Sequence, residues 1–295
     1  MSHILAKAEP SQREWSDSND RLTPREFQRL AEFIHSYSGI KMPLSKLTMV
    51  EGRLRKRVRA LKLSSLSEYC EYVFEKGGLA AEEIDLIDVV TTNKTEFFRE
   101  PEHFRIMAEE LLPGILAARR VNSRAPVKIW SAAASTGAEA YTIAMVIAEF
   151  ERVHGELAST IFATDICTEV LQTAQLGVYP AEMLVPVSSD LRARYLMRAK
   201  DRSSDQLRIV PELRARVQFG RLNLMDQPYP LDRDMDIVLC RNILIYFDKP
   251  TQLKVLRGLC DHLRPGGHLI VGHSETMSGL DLPVRPFRNT VFRRE

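Results

Sequence analysis

The spacing of apolar residues changes near residue 90 of the chain. Before this point, apolar residues recur every three or four positions, as they do on one face of an amphipathic helix. After it, short apolar runs alternate with helix-like segments in units of about 30 residues, which predicts a parallel, doubly wound α/β sheet. We therefore expect a mobile polar tail at residues 1–20, an all-α domain at residues 21–90 and an α/β domain at residues 91–295.

Four helices are expected in the first domain. Thr23-Pro24-Arg25-Glu26 contains a capping box with proline at the first helical position, and so begins the first helix. The second helix covers residues 44–61, with its apolar residues in one stripe. A serine caps the third helix, which starts at about Leu63 and ends at Gly77, and a fourth covers residues 80–90.

The second helix has a strongly basic face. Its cations are Arg53, Arg55, Lys56, Arg57, Arg59 and Lys62. Like charges four positions apart repel each other, so an acidic partner is expected for this face. The partner is either the acidic group Glu82, Glu83, Asp85 and Asp88 of the same domain or the surface of another protein, and charge pattern alone leaves both open.

Short apolar runs predict the strands of the second domain. They cover residues 127–130, 160–165, 235–240 and 268–272, and a helix is expected at residues 251–263. In the segment Leu263-Arg-Pro-Gly-Gly267, proline would stop that helix and the two glycines would form the turn into the last of these strands. Residues 287–293 predict an antiparallel hairpin that turns at Asn289 and completes the sheet.

Residues 127–149 predict a strand, a turn of small residues and a helix. Small side chains at residues 132–135 and at Gly137 allow a ligand to approach the backbone and the free N–H groups of the helix. Only one glycine stands where a dinucleotide fingerprint has three, so this segment alone is a weak signal. Asp165 strengthens it, because a carboxylate at the end of the second strand can accept both hydroxyls of a ribose.

The junction between the domains, residues 91–100, combines threonine and asparagine with two phenylalanines and Arg99. This composition suits hydrogen bonding to the polar end of a ligand. The plainer alternative is a capped linker that Phe97 and Phe98 anchor in the core.

Composition narrows the function classes. The chain has 295 residues, of which 44% are apolar and 27% charged, and its net charge of +2 is too small for a dedicated nucleic-acid binder. It has neither an 18-residue apolar run nor the apolar region of a signal peptide, so a cytoplasmic location without membrane insertion is expected. The four cysteines and seven histidines lack metal-ligand spacing, so free thiols and no metal are predicted.

Several collinear motifs resemble those of the CheR-type chemoreceptor glutamate methyltransferases, which use S-adenosylmethionine. The resemblance runs from about Phe27 to Phe292. The motifs are TTNKTEFFRE at residues 91–100, WSAAASTG at 130–137, ATDI at 163–166, NL at 223–224, CRNILIYFD at 240–248, LRPGG at 263–267 and GHSE at 272–275. The resemblance implies a Rossmann-like S-adenosylmethionine-dependent methyltransferase domain with a small β-rich insertion, behind an all-α docking domain.

The resemblance also implies roles for particular residues. Cofactor contacts are expected from Asn93, Thr95, Arg99, Glu139, Asp165, Asn223, Leu224, Arg241 and Asn242. Arg99 and Tyr246 are expected beside the substrate carboxylate, where Tyr246 either orients it or only packs. The basic second helix, through Arg53, Arg57 and Arg59, is expected to dock on the methylation region of a chemoreceptor.

The chain departs from the family pattern at two places. Ala138 and Ala140 replace a glutamate and a proline, while Glu139 stands in the retained position. The insertion at about residues 182–216 has its β-rich part at residues 206–210 and 217–219, which some members use to grip the C-terminal peptide of a receptor. Its turn at residues 199–205 lacks the glycines of those members, which puts this contact in doubt.

The expected reaction needs no general base, because a glutamate carboxylate is already ionised at pH 7. The products would be a glutamate methyl ester and S-adenosylhomocysteine.

Two alternatives differ from this hypothesis. A nucleic-acid methyltransferase would need a base-methylating motif in place of residues 241–246, and a catalytically inactive S-adenosylmethionine-binding signalling module would be consistent with Ala138 and Ala140.

Overall fold

A computed structural model describes residues 20–122, 125–198, 201 and 204–295. The tail predicted at residues 1–20 lies outside these ranges except for Asp20. The Asp20 carboxylate accepts a hydrogen bond from the backbone N–H of Leu66 at 3.0 Å, and its carbonyl accepts one from Arg55 at 2.8 Å. The packed part of the helical domain therefore includes Asp20.

The four helices predicted for the first domain are confirmed. They are α1 (Pro24–Ser38), α2 (Leu47–Ala60), α3 (Leu66–Phe74) and α4 (Leu79–Val90), with a 3-10 turn at Leu44–Lys46 before α2. The capping box is also confirmed, since Glu26 N–H donates to the Thr23 hydroxyl and Thr23 N–H donates to the Glu26 carboxylate. The hydroxyl of Ser65 caps α3 through the N–H of Glu68.

A seven-stranded sheet forms the second domain, in the order β6-β2-β1-β7-β8-β10-β9. The first five strands in this order run parallel, and β10 and β9 form the predicted antiparallel hairpin. The strands of this sheet are β1 (Val127–Ala132), β2 (Ser159–Asp165), β6 (Val217–Arg221), β7 (Met235–Cys240), β8 (Leu263–Val271), β9 (Val284–Arg288) and β10 (Val291–Arg294).

Helices connect these strands and cover both faces of the sheet. They are α5 (Glu102–Ile106), which continues through a π-helical turn at Met107–Leu111 into α6 (Leu112–Asn122), α7 (Ala138–His154), α8 (Thr168–Leu176), α9 (Ser189–Tyr195), α10 (Pro211–Arg214) and α11 (Lys249–His262). Short 3-10 turns lie at Ala181–Leu184 and Leu244–Tyr246.

The β-rich insertion is a separate three-stranded sheet, but it differs from the expected one. Its strands are β3 (Val178–Pro180), β4 (Leu196–Arg198) and β5 (Gln206–Ile209), in the order β3-β5-β4. Assigning residues 217–219 to the insertion was wrong. They belong to β6, because Val217 pairs with Ile161 along the free edge of β2 and extends the main sheet.

The expected turn at residues 263–267 lies inside β8 and not before it. Leu263 pairs with Met235 and His268 with Ile237, so four residues bulge out opposite Asp236 alone. Gly266 has a φ of 76°, and the Arg264 guanidinium bonds the buried Asp236 carboxylate at 2.7 Å. The glycine turn therefore exists, but strand pairing has already begun at Leu263.

Two apolar cores lie on opposite faces of the main sheet. One contains α6, α7 and the insertion, and the other contains α11 together with the helical domain. Trp130 faces the second core, which is continuous from the sheet into α1–α4. Because burial of apolar surface is the main favourable term in folding, this shared core fixes the helical domain against one face of the sheet. Across the described ranges, no helix is long and apolar enough to span a membrane.

Candidate active site

A cavity lies where the carboxyl ends of β1, β2 and β7 meet the helical domain. The empty space of this cavity, including the part open to solvent, is about 1050 Å³. Strand order reverses at β1, since β2 lies on one side of it and β7 on the other. Ligands of open parallel sheets bind at this kind of switch point.

The cavity brings together residues that are far apart in the sequence. Its lining includes all ten residues expected at the cofactor and the substrate carboxylate, which are Asn93, Thr95, Arg99, Glu139, Asp165, Asn223, Leu224, Arg241, Asn242 and Tyr246. The helical domain contributes Ser38, Ile40, Met42 and Lys46, which sequence analysis did not select. The cavity is therefore walled by both domains.

The turn between β1 and α7 forms the floor. Ala133, Ser135 and Gly137 all have positive φ, which curls the backbone beneath the cavity before α7 begins at Ala138. A Cβ at Gly137 would lie 2.9 Å from the Cβ of Ala174 and 3.1 Å from the ring of Phe219. Glycine is thus required there by both conformation and space.

Asp165 ends β2 and is 6% exposed. Its carboxylate accepts hydrogen bonds from the backbone N–H of Ser135 at 2.8 Å and of Cys167 at 2.9 Å. Burial raises the pKa of Asp165, while these N–H donors act against that shift. Each carboxylate oxygen keeps a lone pair that can accept a ligand hydroxyl.

Arg241 connects three parts of the site. Its side chain is 2% exposed and forms ion pairs with Glu139 at 2.8 Å and with Glu100 at 3.0 Å. It also donates to the carbonyl of Arg99. Glu139 in turn accepts a hydrogen bond from the Ser131 hydroxyl at 2.6 Å. The end of β7 is therefore tied to α7, β1 and the junction.

Glu100 is a site residue that sequence analysis did not select. Its carboxylate accepts hydrogen bonds from the Asn242 amide at 3.2 Å and from the His273 N–H at 3.3 Å. Burial acts to raise its pKa, but the Asn242 bond and the charge of Arg241 outweigh this and lower it. The junction motif shows a carboxylate beside Arg99, but the sequence does not show its partners. Arg241 and Asn242 lie more than 140 residues away.

Glu275 holds the segment that follows β7. Its buried carboxylate accepts hydrogen bonds from four backbone N–H groups, those of Asn242, Ile243, Leu244 and Gly272. Asn242 has a φ of 60°, the left-handed conformation that asparagine adopts more readily than most residues other than glycine. The clamp therefore stabilises the tight turn that carries Arg241 and Asn242 to the cavity.

The junction residues lie along one wall. The Asn93 amide contacts the Cys167 sulfur at 3.4 Å, and its carbonyl accepts a hydrogen bond from Ser135 at 2.9 Å. The Arg99 guanidinium donates to the carbonyl of Lys94 at 3.1 Å and borders the cavity. Thr95 lines the same wall.

The opposite wall joins the two domains. The Asn223 amide donates to the carbonyl of Tyr37 at 2.7 Å, with Leu224 beside it. The Lys46 ammonium lies 5.1 Å from the centre of the Tyr246 ring. Burial, and then the charge of Arg53, lower the pKa of Lys46.

The three arginines expected to dock a receptor do not line the cavity. Arg57 binds Glu82 at 2.6 and 2.9 Å and Asp85 at 2.7 Å, which confirms the internal acidic partner for this residue. Arg53 donates to the carbonyls of residues 90 and 91, at 2.6 and 2.7 Å. Arg59 is exposed.

The cavity lies at the switch point of a parallel sheet, beside a glycine turn and an acidic residue that ends β2. These features define a Rossmann-like cofactor-binding enzyme. The model of the CheR methyltransferase SAM-binding domain matches residues 93–292, and that of the CheR all-alpha domain matches residues 25–91. The chain belongs to the CheR methyltransferase family and is an S-adenosylmethionine-dependent methyltransferase.

Similar proteins span nearly the same length. The chain is 37% identical over 270 residues to chemotaxis protein methyltransferase 2 of Pseudomonas aeruginosa, covering 92% of this chain and 93% of that one. It is 38% identical over 267 residues to the chemotaxis protein methyltransferase of Salmonella typhimurium, covering 90% and 88%. For the Escherichia coli protein of the same name, identity is 37% over 261 residues, covering 88% and 87%.

Proposed function

We propose that this protein methylates glutamate side chains in the cytoplasmic methylation region of chemoreceptors, itself acting in the cytoplasm. The products are a glutamate 5-O-methyl ester and S-adenosylhomocysteine. The observation that carries the proposal is that ten predicted residues line one cavity. The relatives of the chain are named chemotaxis protein methyltransferases, which fits this proposal.

The cavity residues fit S-adenosylmethionine. The glycine turn leaves room beside the backbone, and Asp165 keeps lone pairs for ribose hydroxyls. Glu139 offers a carboxylate to the amine of the methionine part, with Arg241 fixing its position. Asn93, Thr95, Asn223, Leu224 and Asn242 complete the proposed contacts along the walls.

S-adenosylmethionine supplies an electrophilic methyl group on a sulfonium. The protein has to align a carboxylate with that methyl and exclude water, and good alignment contributes about 7 to 11 kcal/mol. Arg99 is the proposed orienting group for the glutamate, because its guanidinium borders the cavity and is partly exposed. Tyr246 is proposed to orient the same carboxylate through its hydroxyl.

The basic face of α2 is proposed to dock the receptor. Its exposed cations are Lys56, Arg59 and Lys62, whereas Arg57 and Arg53 already have partners within the domain. Of the three arginines predicted to dock, Arg59 is the exposed one and therefore the strongest candidate for contact with an acidic receptor surface, and Arg53 and Arg57 shape the face behind it. Contact with a receptor C-terminal peptide would use an edge of the β3-β5-β4 sheet.

The test is transfer of labelled methyl from S-adenosylmethionine to membranes that contain chemoreceptors. Mild alkali should release the label as methanol, because carboxyl methyl esters are base-labile. Arg99→Ala should abolish labelling and, because Arg99 is also a proposed cofactor contact, should weaken cofactor binding as well. Arg59→Glu should raise KM for the receptor, and Arg25→Glu, an exposed residue of α1, is the matched control.

Two results would contradict the proposal. Base-stable label would mean that the acceptor is not a carboxylate. Cofactor binding without label on any receptor would instead support the inactive signalling module. Deleting the last residues of the receptor tests the C-terminal peptide separately, because only that contact should then be lost.

A further inference from the structure

Next to Arg241, the residues Glu100, His103 and His273 form a cluster that the proposed reaction does not use directly. One ligand atom from each residue lies within 4.8 Å of the others. His103 is 0% exposed, and its Nδ1 lies 3.5 Å from a Glu100 oxygen, beyond normal hydrogen-bond length. Sequence spacing could not reveal the cluster, since His273 is 170 residues from His103.

The Thr290 hydroxyl contacts one nitrogen of the His103 ring. It lies 2.6 Å from Nε2 and 2.7 Å from the Asn289 carbonyl oxygen. In the tautomer with the proton on Nε2, this hydroxyl accepts the Nε2 hydrogen bond and Nδ1 carries a lone pair. Among the described residues, Nδ1 has no hydrogen-bond partner, and its lone pair faces the Glu100 carboxylate.

Two electron-rich groups that face each other in a buried site are stabilised by a proton or a metal cation between them. Arg241 does not fill this role, because it bonds Glu100 from another side and is shared with Glu139. The Glu100 carboxylate attracts a cation to this point, whereas burial and the charge of Arg241 oppose one, so a cation needs direct bonds to the ligand atoms.

The ligand set is that of a zinc-type site. Two imidazoles and one carboxylate are common ligands of Zn²⁺, and metal–ligand bonds of about 2.0–2.2 Å place neighbouring ligand atoms about 3.3–3.5 Å apart. The Nδ1–Glu100 distance of 3.5 Å already fits this geometry. His273 is exposed and can rotate towards the other two. The Thr290 hydroxyl bonds the other ring nitrogen of His103, as the groups that orient metal-bound histidines usually do.

We propose that Glu100, His103 and His273 bind one first-row divalent metal ion of the Zn²⁺ type, which fixes Glu100 against Arg241. The site adjoins Arg241 through Glu100, and none of its three residues is among those proposed to contact S-adenosylmethionine. This inference does not depend on the identity of the methyl acceptor.

The experiment uses the full chain, stripped by a chelator and titrated with ZnCl2 against a chromophoric competitor. One equivalent should bind, and the thermal unfolding midpoint should rise because the ion binds only the folded state. His273→Ala should weaken binding by at least about 100-fold, and Thr290→Val by about 10- to 100-fold. His154→Ala, an exposed histidine of α7, is the matched control and should bind normally.

Substitution with Co²⁺ gives an independent readout. Wild-type protein should show intense visible bands typical of four or five ligands, and His273→Ala should lose them. Because His273 is exposed, its variant tests the proposal even if His103→Ala fails to fold. Absence of stoichiometric Zn²⁺ binding, or binding unchanged in His273→Ala, would overturn the proposal and leave His103 a packing residue.

Discussion

The Asp88 carboxylate in α4 accepts a hydrogen bond from the backbone N–H of Thr168, the first residue of α8, at 2.9 Å. It also accepts one from the Thr168 hydroxyl. A side chain of the helical domain thus caps a helix of the other domain. This helix follows directly on the Asp165 turn, so the cap and the cavity are connected through residues 165–168.

Asp88→Ala should therefore act on both stability and cofactor binding. Loss of an N-cap costs about 0.5–2 kcal/mol of unfolding free energy. Loosening of residues 165–168 should also weaken binding of S-adenosylhomocysteine, measured by calorimetry. Glu83→Ala on the same helix is the control. Unchanged cofactor affinity in Asp88→Ala would show that the cap does not support the cavity.

Glu275→Gln should destabilise the protein although it changes only one atom. The amide NH2 would face backbone N–H groups where the carboxylate oxygen accepts, and hydrogen bonds to charged groups contribute about 1.5–3 kcal/mol each. We expect a loss of about 2 kcal/mol or more in urea unfolding, together with weaker cofactor binding. Ser274→Ala, at the exposed neighbour, should change neither quantity.

Substitutions of Arg57 and Arg59 should distinguish a residue that stabilises the fold from one that is available for docking. Arg57→Ala leaves the Glu82 carboxylate, 2% exposed, without its ion-pair partner, which costs about 3–5 kcal/mol of unfolding free energy. Arg59→Ala should leave stability within about 0.5 kcal/mol of wild type. Thermal unfolding of both variants measures this difference, and equal stabilities would contradict the assigned role of the Arg57 pair.

Acid should destabilise the protein partly through His268. Burial, and then the charges of Arg293 and Arg264, lower the pKa of His268 to about 4, against about 6.5 in the unfolded chain. The unfolded state binds the proton first, so the stability contribution is complete above pH 6.5 and is lost as pH falls towards 4.

The measurement is the urea midpoint of wild type and His268→Leu at pH 7 and at pH 4.5. The difference between the two proteins should shift in favour of His268→Leu at the lower pH, because the leucine cannot take up the proton. His154→Leu is the exposed control. A constant difference across this range would contradict the lowered pKa of His268.

Local signals made much of the fold predictable. The capping box at Thr23 and the apolar runs of β1 and β7 are determined within a few residues of sequence. The two elements that sequence analysis assigned wrongly depend on strand partners that are distant in the sequence. Residues 217–219 became β6 only because β2 offers a free edge, and residues 263–267 joined β8 because Met235 pairs with Leu263.

The distinction between local sequence signals and distant partners also applies to the site. Motif resemblance selected ten residues that line the cavity, since the motifs lie in the junction or in the segments at and after the ends of β1, β2, β6 and β7. Glu100, Glu275 and Lys46 were not selected, because their significance comes from partners on other elements. Internal acidic pairing was one of two alternatives for the basic face, and it describes Glu82 and Asp85, whereas the Asp88 carboxylate caps α8.

The wall shared by the two domains has a consequence for modular engineering. Ser38, Ile40, Met42 and Lys46 lie in the same cavity as the residues of the sheet domain. A chimera that exchanges the helical domain for that of a relative would change this cavity as well as the proposed docking face. If both proposals hold, the choice of receptor and the binding of cofactor cannot be altered independently by exchanging domains.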